Sequence, residues 1–259
     1  MFKLIWLFFR VGAMNEMQYR VNFVIQLFQS LVALGTGLIG LALVFSHTTT
    51  LAGWSRPELL VVMGVYTLMG GLINLTIQPN MQQLLNDVQQ GTLDYILTRP
   101  ADAQLQVSVR QIHIWSATDI LLGIGVLFVA FFQLQTILGI LQAIAFAALL
   151  LLGGLMIYSF WLIMTTGVFW VIRMENILEL FQGVYQAGRW PTTIYPNWLQ
   201  VGLTFLVPVA FAVTVPAEAL TGRLTIVTLF EAFALTILLL LFSRWFWKLG
   251  LRHYSGASA

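Results

Sequence analysis

The chain has 259 residues, of which 59% are hydrophobic and only 8% are charged, with a formal net charge of +2. Soluble domains carry about 25% charged residues, so this composition excludes an ordinary water-soluble fold. The absence of cysteine excludes disulfides and thiolate chemistry. Residues 120–172 contain no Asp, Glu, Lys or Arg, a stretch much longer than the ~20 apolar residues of one membrane span. The predicted class is an all-α polytopic membrane protein, with residues 1–259 forming one domain.

The predicted elements begin with an amphipathic helix at residues 1–22, whose aromatic residues suit the membrane interface; a helix continuous with the first span is the alternative. Six spans follow, at residues 23–45, 59–77, 116–132, 137–161, 168–185 and 225–245. A tight turn after residue 161 is expected to separate the fourth and fifth spans. Ser116 and Asp119 match a capping box at the start of the third span.

The segment at residues 189–222 is predicted to be external and to contain a re-entrant piece. Its turn-forming and anchoring residues are Pro191, Tyr195, Pro196 and Pro208. The apolar stretch 199–215 could either cross or dip into the membrane, and an even number of spans with both termini cytoplasmic favours re-entry. Only Arg56, Arg189 and Arg223 then fall outside, and the other Lys and Arg residues face the cytoplasm, as the positive-inside rule requires.

Residues 79–113 form the one sizeable polar segment between spans. Asn80 is placed to cap a short helix, and Gly91 to end it at the C′ position. An apolar stripe of Met81, Leu84, Leu85 and Val88 follows helical spacing. A helix of about ten residues is too short to be stable alone, so the stripe must dock, either on a partner or on the protein's own helices.

Within this segment the chain reads Gly91-Thr92-Leu93-Asp94, then Leu97-Thr98-Arg99-Pro100. This pattern resembles the permease subunits of ABC-2-type ABC transporters, and it is most similar to their small six-span subgroup. The order of interfacial helix, spans and external segment agrees with that family. Gln89 and Gln90 stand where the family often has a charged residue, which puts the local ion pairing in question.

The resemblance implies that residues 79–113 are a cytoplasmic coupling loop contacting a separate ABC ATPase, in a bacterial-type inner membrane. The implied coupling residues are Leu84, Leu85, Val88, Gly91, Thr92, Leu93, Asp94, Leu97, Arg99 and Pro100. It also implies export and a second permease, identical or related, with a related one favoured. Membrane lipid is a further partner and nucleic acid is not. The chain lacks a phosphate-binding loop, so it is predicted not to be an enzyme, with ATP and Mg bound by the ATPase.

Four acidic residues lie near predicted membrane boundaries and are candidates for a polar function: Asp119, Glu175, Glu179 and Glu231. Structural roles are the alternative, with Asp119 as a helix cap and Glu231 paired to Arg189 or Arg223. An ion-coupled secondary transporter is the second hypothesis for the whole chain. It would require inverted repeats and buried charge, and no clear internal repeat is present.

Overall fold

The computed structural model describes residues 20–135, 139–170 and 177–254, together with Arg10 and Met14. It is 84% helical. Five helices in this part of the chain are long and apolar enough to span a membrane: Val21–His47, Arg56–Gln89, Ile114–Leu134, Ile140–Phe169 and Ile226–His253. The predicted all-α polytopic class is therefore confirmed. The interfacial helix expected at residues 1–22 falls almost entirely outside the described residues.

The first half of the chain runs along the bundle three times, with the hairpin and the polar loop as the two connections. Helix α1 is Arg20–His47, followed by a hairpin of β1 (Thr50–Leu51) and β2 (Trp54–Ser55), then α2 (Arg56–Leu72), a π-helical turn (Ile73–Ile77) and α3 (Gln78–Gln89). Two short helices, α4 (Asp94–Leu97) and α5 (Ala103–Val109), lead to a 3₁₀ turn (Ile114–Ser116) and α6 (Ala117–Leu134).

The second half contains α7 (Ile140–Thr166), a 3₁₀ turn (Gly167–Phe169) and α8 (Ile177–Gln186). Two 3₁₀ turns follow, Ala187–Arg189 and Thr192–Ile194, then α9 (Asn197–Val201) and π-helical Gly202–Leu206. A second π-helical segment, Ala210–Thr214, continues into α10 (Val215–Thr221), and α11 (Ile226–His253) is the last helix described. The end of the bundle carrying residues 79–113 is called the loop end, and the opposite end, with β1 and β2, the hairpin end.

The sequence predicts that the second span ends before Pro79. In the structure the helix continues past this proline. Helix α2 continues through the π-helical turn into α3, giving one helix from Arg56 to Gln89. In that turn the Gln78 N–H donates to the Ile73 carbonyl, five residues back. A π turn changes the hydrogen-bonding pattern ahead of the proline, so the ring and its missing N–H are tolerated. Asn80 is consequently inside a helix, and its predicted capping role is wrong.

The predicted turn after residue 161 is also wrong, because α7 continues to Thr166 and its 3₁₀ extension to Phe169. No charged residue interrupts the sequence before Arg173, so composition carries no signal for the end of this helix. The predicted fifth span, 168–185, overlaps residues 171–176, which lie outside the described part. Its first residues, 168–170, belong to the end of the preceding helix. Its later part is described as the 10-residue helix Ile177–Gln186.

Helices α2 and α6 pack very closely because each presents glycine to the other. A Cβ atom built on Gly123 would lie 2.6 Å from the backbone nitrogen of Leu68. One built on Gly71 would lie 2.8 Å from the backbone nitrogen of Ile120. Distances this short are impossible for real atoms, so only glycine permits the approach. This pair of helices forms the rigid centre on which the loop between them is mounted.

We expect Gly123→Ala to destabilise the bundle by about 1–3 kcal/mol, the usual cost of overpacking a tight interface. Gly125→Ala is the matched control, because its Cβ would meet no atom within 4 Å and alanine favours helix. Thermal unfolding of both variants in detergent measures the difference. Equal midpoints for the two variants would show that the α2–α6 contact is looser than described.

At the hairpin end, Arg223 binds several groups at once. Its guanidinium donates to both carboxylate oxygens of Glu58, at 2.8 and 3.0 Å, and to the Gly53 carbonyl at 2.7 Å. It also lies 4.7 Å from the centre of the Trp54 ring. Trp54 Nε1 in turn donates to Thr193 Oγ1 at 3.1 Å. The hairpin therefore contacts the residue on each side of the segment 194–222, Thr193 before it and Arg223 after it.

Between those two attachment points, the chain forms a sharply bent pair of short helices. Asn197–Leu206 and Ala210–Thr221 meet at an angle of 78°, with Pro208 at the break. Pro208 is buried, and so are nearly all residues of the second limb. Its backbone lies between α2 and α7, so protein covers the interrupted helix.

Candidate functional site

The polar segment between α3 and α6 is an ordered structure. Helix α3 ends at Gln89, and Gly91 has φ +69°, the left-handed conformation expected at C′. The Thr92 N–H donates to the Asp87 carbonyl at 2.9 Å and the Gly91 N–H to the Val88 carbonyl at 3.3 Å. These two bonds define a Schellman motif, which confirms the predicted position of the helix end.

The Asp87 side chain joins the two ends of the loop, a role that the sequence did not suggest. Its Oδ2 accepts from Arg110 Nη2 at 2.6 Å. Its Oδ1 accepts from Thr92 Oγ1 at 3.0 Å and from Gln83 Nε2 at 2.9 Å. The Asp87 side chain is only 7% exposed, so this charge is shielded from water and depends on Arg110 for compensation.

Asn80 makes a second connection two turns earlier on the same face of α3. Its buried side chain accepts from the backbone N–H groups of Arg110 and Gln111, both at 2.8 Å, and donates to the Gln111 carbonyl at 2.8 Å. Residues seven apart lie on one helix face, so Asn80 and Asp87 together align the returning chain along α3. The loop is therefore closed by contacts within the chain itself.

Helix α5 links this loop to α7 and α11. Asp102 caps α5 by accepting from the Leu105 N–H and forms an ion pair with Arg244 of α11. Arg244 also donates to Gln104 Oε1 at 2.7 Å. From α7, the Tyr158 hydroxyl lies within hydrogen-bonding distance of Gln104 Nε2 (3.2 Å) and Ser108 Oγ (2.8 Å).

The hydrogen bond from Arg244 lowers the pKa of the Asp102 carboxyl from its ordinary value of 3.8. The ionised form is thus favoured, and the pair is lost only as pH falls below that value. Across the neutral range, α5 remains attached to α11.

The predicted coupling residues divide into a buried and an exposed group. Leu84, Leu85 and Leu93 are buried, and Leu93 is fully enclosed. Val88, Gly91, Thr92 and Asp94 are half-buried, whereas Leu97, Arg99 and Pro100 are exposed. The α3 stripe therefore docks on the protein's own helices, the second alternative considered for it. The exposed surface lies further along the loop and includes Tyr95, which is 73% exposed.

Of the residues predicted to shape an external segment, Pro191 is buried and Pro196 is exposed just before α9. The Tyr195 hydroxyl donates to the Ala187 carbonyl at 2.9 Å, which stabilises the turn between α8 and α9. Pro208 occupies the bend described above. These residues shape the segment 189–222, and they form no cluster of reactive groups.

Two structural roles expected for the acidic residues are wrong. Ser116 makes no capping hydrogen bond, because the chain is already helical from Ile114. Asp119 instead accepts from Gln26 Nε2 at 3.4 Å. Glu231 is not paired with Arg189 or Arg223, since Arg223 binds Glu58 and Arg189 lies 5.6 Å from the Tyr66 ring centre.

Glu179 and Glu231 are both exposed, and Glu175 lies outside the described residues. Among the described residues no cluster of His, Cys, Asp or Glu could hold a metal ion.

Sequence reasoning missed Asp87, Arg110, Asp102, Arg244 and Tyr158, which hold the loop in place. A possible signal was the seven-residue spacing of Asn80 and Asp87, which places two polar residues on one face of an otherwise amphipathic helix.

A bundle of helices long and apolar enough to span a membrane, carrying one ordered polar loop, defines an integral membrane protein. Residues 31–258 match the family described as ABC-2 family transporter protein, and the chain belongs to that family. It is a permease subunit of an ABC transporter. Its family is a membrane transport component, not itself catalytic, and generally works with an ATPase subunit. No curated protein and no solved structure matches the chain.

Proposed function

We propose that this permease is the membrane subunit of an ATP-driven exporter and that residues 79–113 receive the ATPase. The supporting observation is the ordered loop with apolar side chains directed away from the bundle. Tyr95, Leu97 and Leu105 are all exposed, although the loop that carries them is fixed from within. Exposed apolar side chains that form a contiguous patch are typical of an interaction surface.

In this proposal, the two groups of loop residues have different tasks. Leu84, Leu85 and Leu93 anchor the loop on its own bundle, as their burial indicates. Tyr95, Leu97 and the following Arg99 and Pro100 contact the ATPase. The coupling function implied by the sequence resemblance is retained, but the contact surface moves from the α3 stripe to the region around α4.

Movement of the ATPase would reach the spans through α5. Asp102 joins α5 to α11 through Arg244, and Ser108 joins it to α7 through Tyr158. The Asp87–Arg110 pair keeps α3 and α5 together, so the loop moves as one unit. A displacement of the loop would therefore shift α7 and α11 relative to the α2–α6 pair.

We also propose six crossings and one re-entrant segment. Phe169 packs 5.8 Å from the ring of Trp247 near the loop end, whereas Thr193 contacts Trp54 at the hairpin end. Phe169 and Thr193 thus lie at opposite ends of the bundle, which supports a crossing between them. Trp54 contacts both Thr193 and Arg223, which favours a segment 194–222 that enters and leaves on the same side.

The charge distribution supports the orientation in this proposal. Arg99, Arg110, Arg244 and Arg252 lie at the loop end, whereas Arg56 and Arg223 lie at the hairpin end. The loop end, with both termini, faces the cytoplasm of a bacterial-type inner membrane by the positive-inside rule. A second permease, identical or related, completes the membrane part, and ATP and Mg bind to the ATPase.

The test is co-purification of the ATPase from native membranes with variants of the loop. Gly91→Pro cannot adopt φ +69°, and Asp94→Lys reverses a charge beside the exposed surface. Both should lower ATPase recovery at least about tenfold while leaving membrane insertion intact, whereas Gln89→Ala, at an exposed neighbouring position, should behave as wild type. Full recovery and transport by both variants would contradict the proposed coupling.

A further inference from the structure

A polar cleft of about 250 Å³ opens between α1, α2, α6 and α8. Its lining includes four amide side chains and two tyrosines: Asn74, Gln78, Gln182, Gln186, Tyr66 and Tyr185. Towards α3 it continues into a polar mouth of about 290 Å³, which shares the first three of these amides and adds Gln26, Gln29 and Gln82. A continuous row of amides therefore leads from the loop end into the bundle.

These amides have few partners within the described residues. The side-chain hydrogen bonds among the described residues of the cleft and its mouth are those of Gln26 with Asp119, at 3.4 Å, of the Tyr185 hydroxyl with the Tyr66 carbonyl, at 2.9 Å, and of the Thr67 hydroxyl with the Met63 carbonyl, at 2.9 Å. Within the part of the chain that the structure describes, the side chains of Asn74, Gln78 and Gln182 have no hydrogen-bond partner. Asn74 and Gln78 are half-buried and Gln182 is exposed, so their amide groups are open to water or to the polar groups of a ligand in the cleft.

The cleft is close to electrically balanced. Asp119 and Arg189 are the carboxylate and the guanidinium in its lining, and Arg189 lies over the Tyr66 ring. An amide offers both two donors and an acceptor, which matches a group of neighbouring hydroxyls better than it matches a single charge. The lining thus favours an uncharged, hydroxyl-rich ligand.

A second cavity adjoins the first and has the opposite character. This slot of about 130 Å³ is lined by Phe160, Trp161, Met164, Leu180, Val184 and Val207, with Phe181 forming a wall of both cavities. Trp161 is buried, and its Nε1 has no hydrogen-bond partner among the described residues. An apolar slot with one free N–H suits an alkyl chain with an oxygen near its attachment to a headgroup.

We propose that the permease binds an amphiphile, with an uncharged, hydroxyl-rich headgroup in the amide-lined cleft and its alkyl chain in the adjoining slot. The inference rests on the proposed transport function and gives the class of its substrate. Phe181, placed between the two cavities, separates the headgroup from the chain.

The probe for this proposal is dodecyl maltoside carrying a photoactivatable diazirine in its alkyl chain. The full-length chain is reconstituted in phosphatidylcholine nanodiscs, illuminated with the probe and digested, and the labelled peptides are identified by mass spectrometry. Labelling should concentrate on the peptides containing Phe160–Met164 and Leu180–Val184. An excess of unlabelled dodecyl maltoside should abolish this labelling. The same concentration of dodecyl phosphocholine should not abolish it.

Two variants and a control make the result specific. Gln182→Leu and Asn74→Leu should each reduce slot labelling about tenfold, the effect of losing a hydrogen bond to a bound ligand. Gln133→Leu, which changes an exposed glutamine of α6 outside the cleft, should leave labelling unchanged. Labelling spread over the exposed apolar faces, equal competition by dodecyl phosphocholine, or unchanged labelling in both variants would overturn the proposal.

The experiment contains neither ATPase nor nucleotide. Its failure would therefore reject the substrate assignment alone, while failure of the co-purification test would reject the role of the loop.

Discussion

Replacing Asp87 with alanine should loosen the entire loop between α3 and α6. The change removes the acceptor for Arg110, Thr92 and Gln83 together and leaves a mostly buried guanidinium without its carboxylate. Breaking a fully buried pair in this way costs about 3–5 kcal/mol. The Arg110 side chain is still 21% exposed, so we expect about 2 kcal/mol, equivalent to roughly thirtyfold faster opening of the loop.

Hydrogen exchange of residues 91–110 in nanodiscs measures this opening directly, and ATPase co-purification measures its consequence. Asn86→Ala is the matched control, because Asn86 is the exposed neighbour on the same helix turn. Exchange in the spans should stay unchanged in both variants. If Asp87→Ala exchanges and assembles like Asn86→Ala, the Asp87–Arg110 pair does not hold the loop.

Replacing Arg244 with leucine should separate ATPase binding from movement of the last helix. The contacts of Arg244 with Asp102 and Gln104 are lost, while the exposed surface around Tyr95 is untouched. For a partly exposed pair we expect about 1 kcal/mol, equivalent to roughly fivefold faster exchange in α5. The ATPase should still co-purify, but transport should fall, because α11 no longer follows the loop.

The measurement compares hydrogen exchange with and without ATP in the assembled complex. In the wild type, nucleotide should alter exchange in both α5 and α11; in Arg244→Leu, the change should remain confined to α5. Arg252→Leu, on the same helix, serves as the control. A nucleotide response in α11 of the Arg244 variant equal to the wild type would show that movement travels by another route.

Much of the fold could be predicted because hydrophobic length is a local property of the sequence. The spans around α1, α2, α6 and α11 follow directly from it, and Gly91 was placed correctly because left-handed C′ positions favour glycine. The continuation of α2 through Pro79 could not be predicted, since it depends on a π turn whose formation has no compositional signature. The end of α7 was missed for a similar reason.

The internal contacts of the site were beyond sequence reasoning because they join distant residues. Asp87 and Arg110 are 23 positions apart, and Asp102 and Arg244 are 142 apart, so neither pair follows from local spacing. The apolar stripe of α3 was correctly identified as a docking face. Its partner, the chain's own bundle, became evident only from the burial of Leu84 and Leu93.

The closure of the loop by Asn80 and Asp87 has a consequence for the assembly of the complex. Segments that fold upon binding lose conformational entropy at that moment, which weakens their affinity for each square ångström of contact. Here the ordering is complete within one polypeptide, so a partner meets a preformed surface. Encounter should then be limited by diffusion and orientation, and subunits can exchange without unfolding the membrane chain.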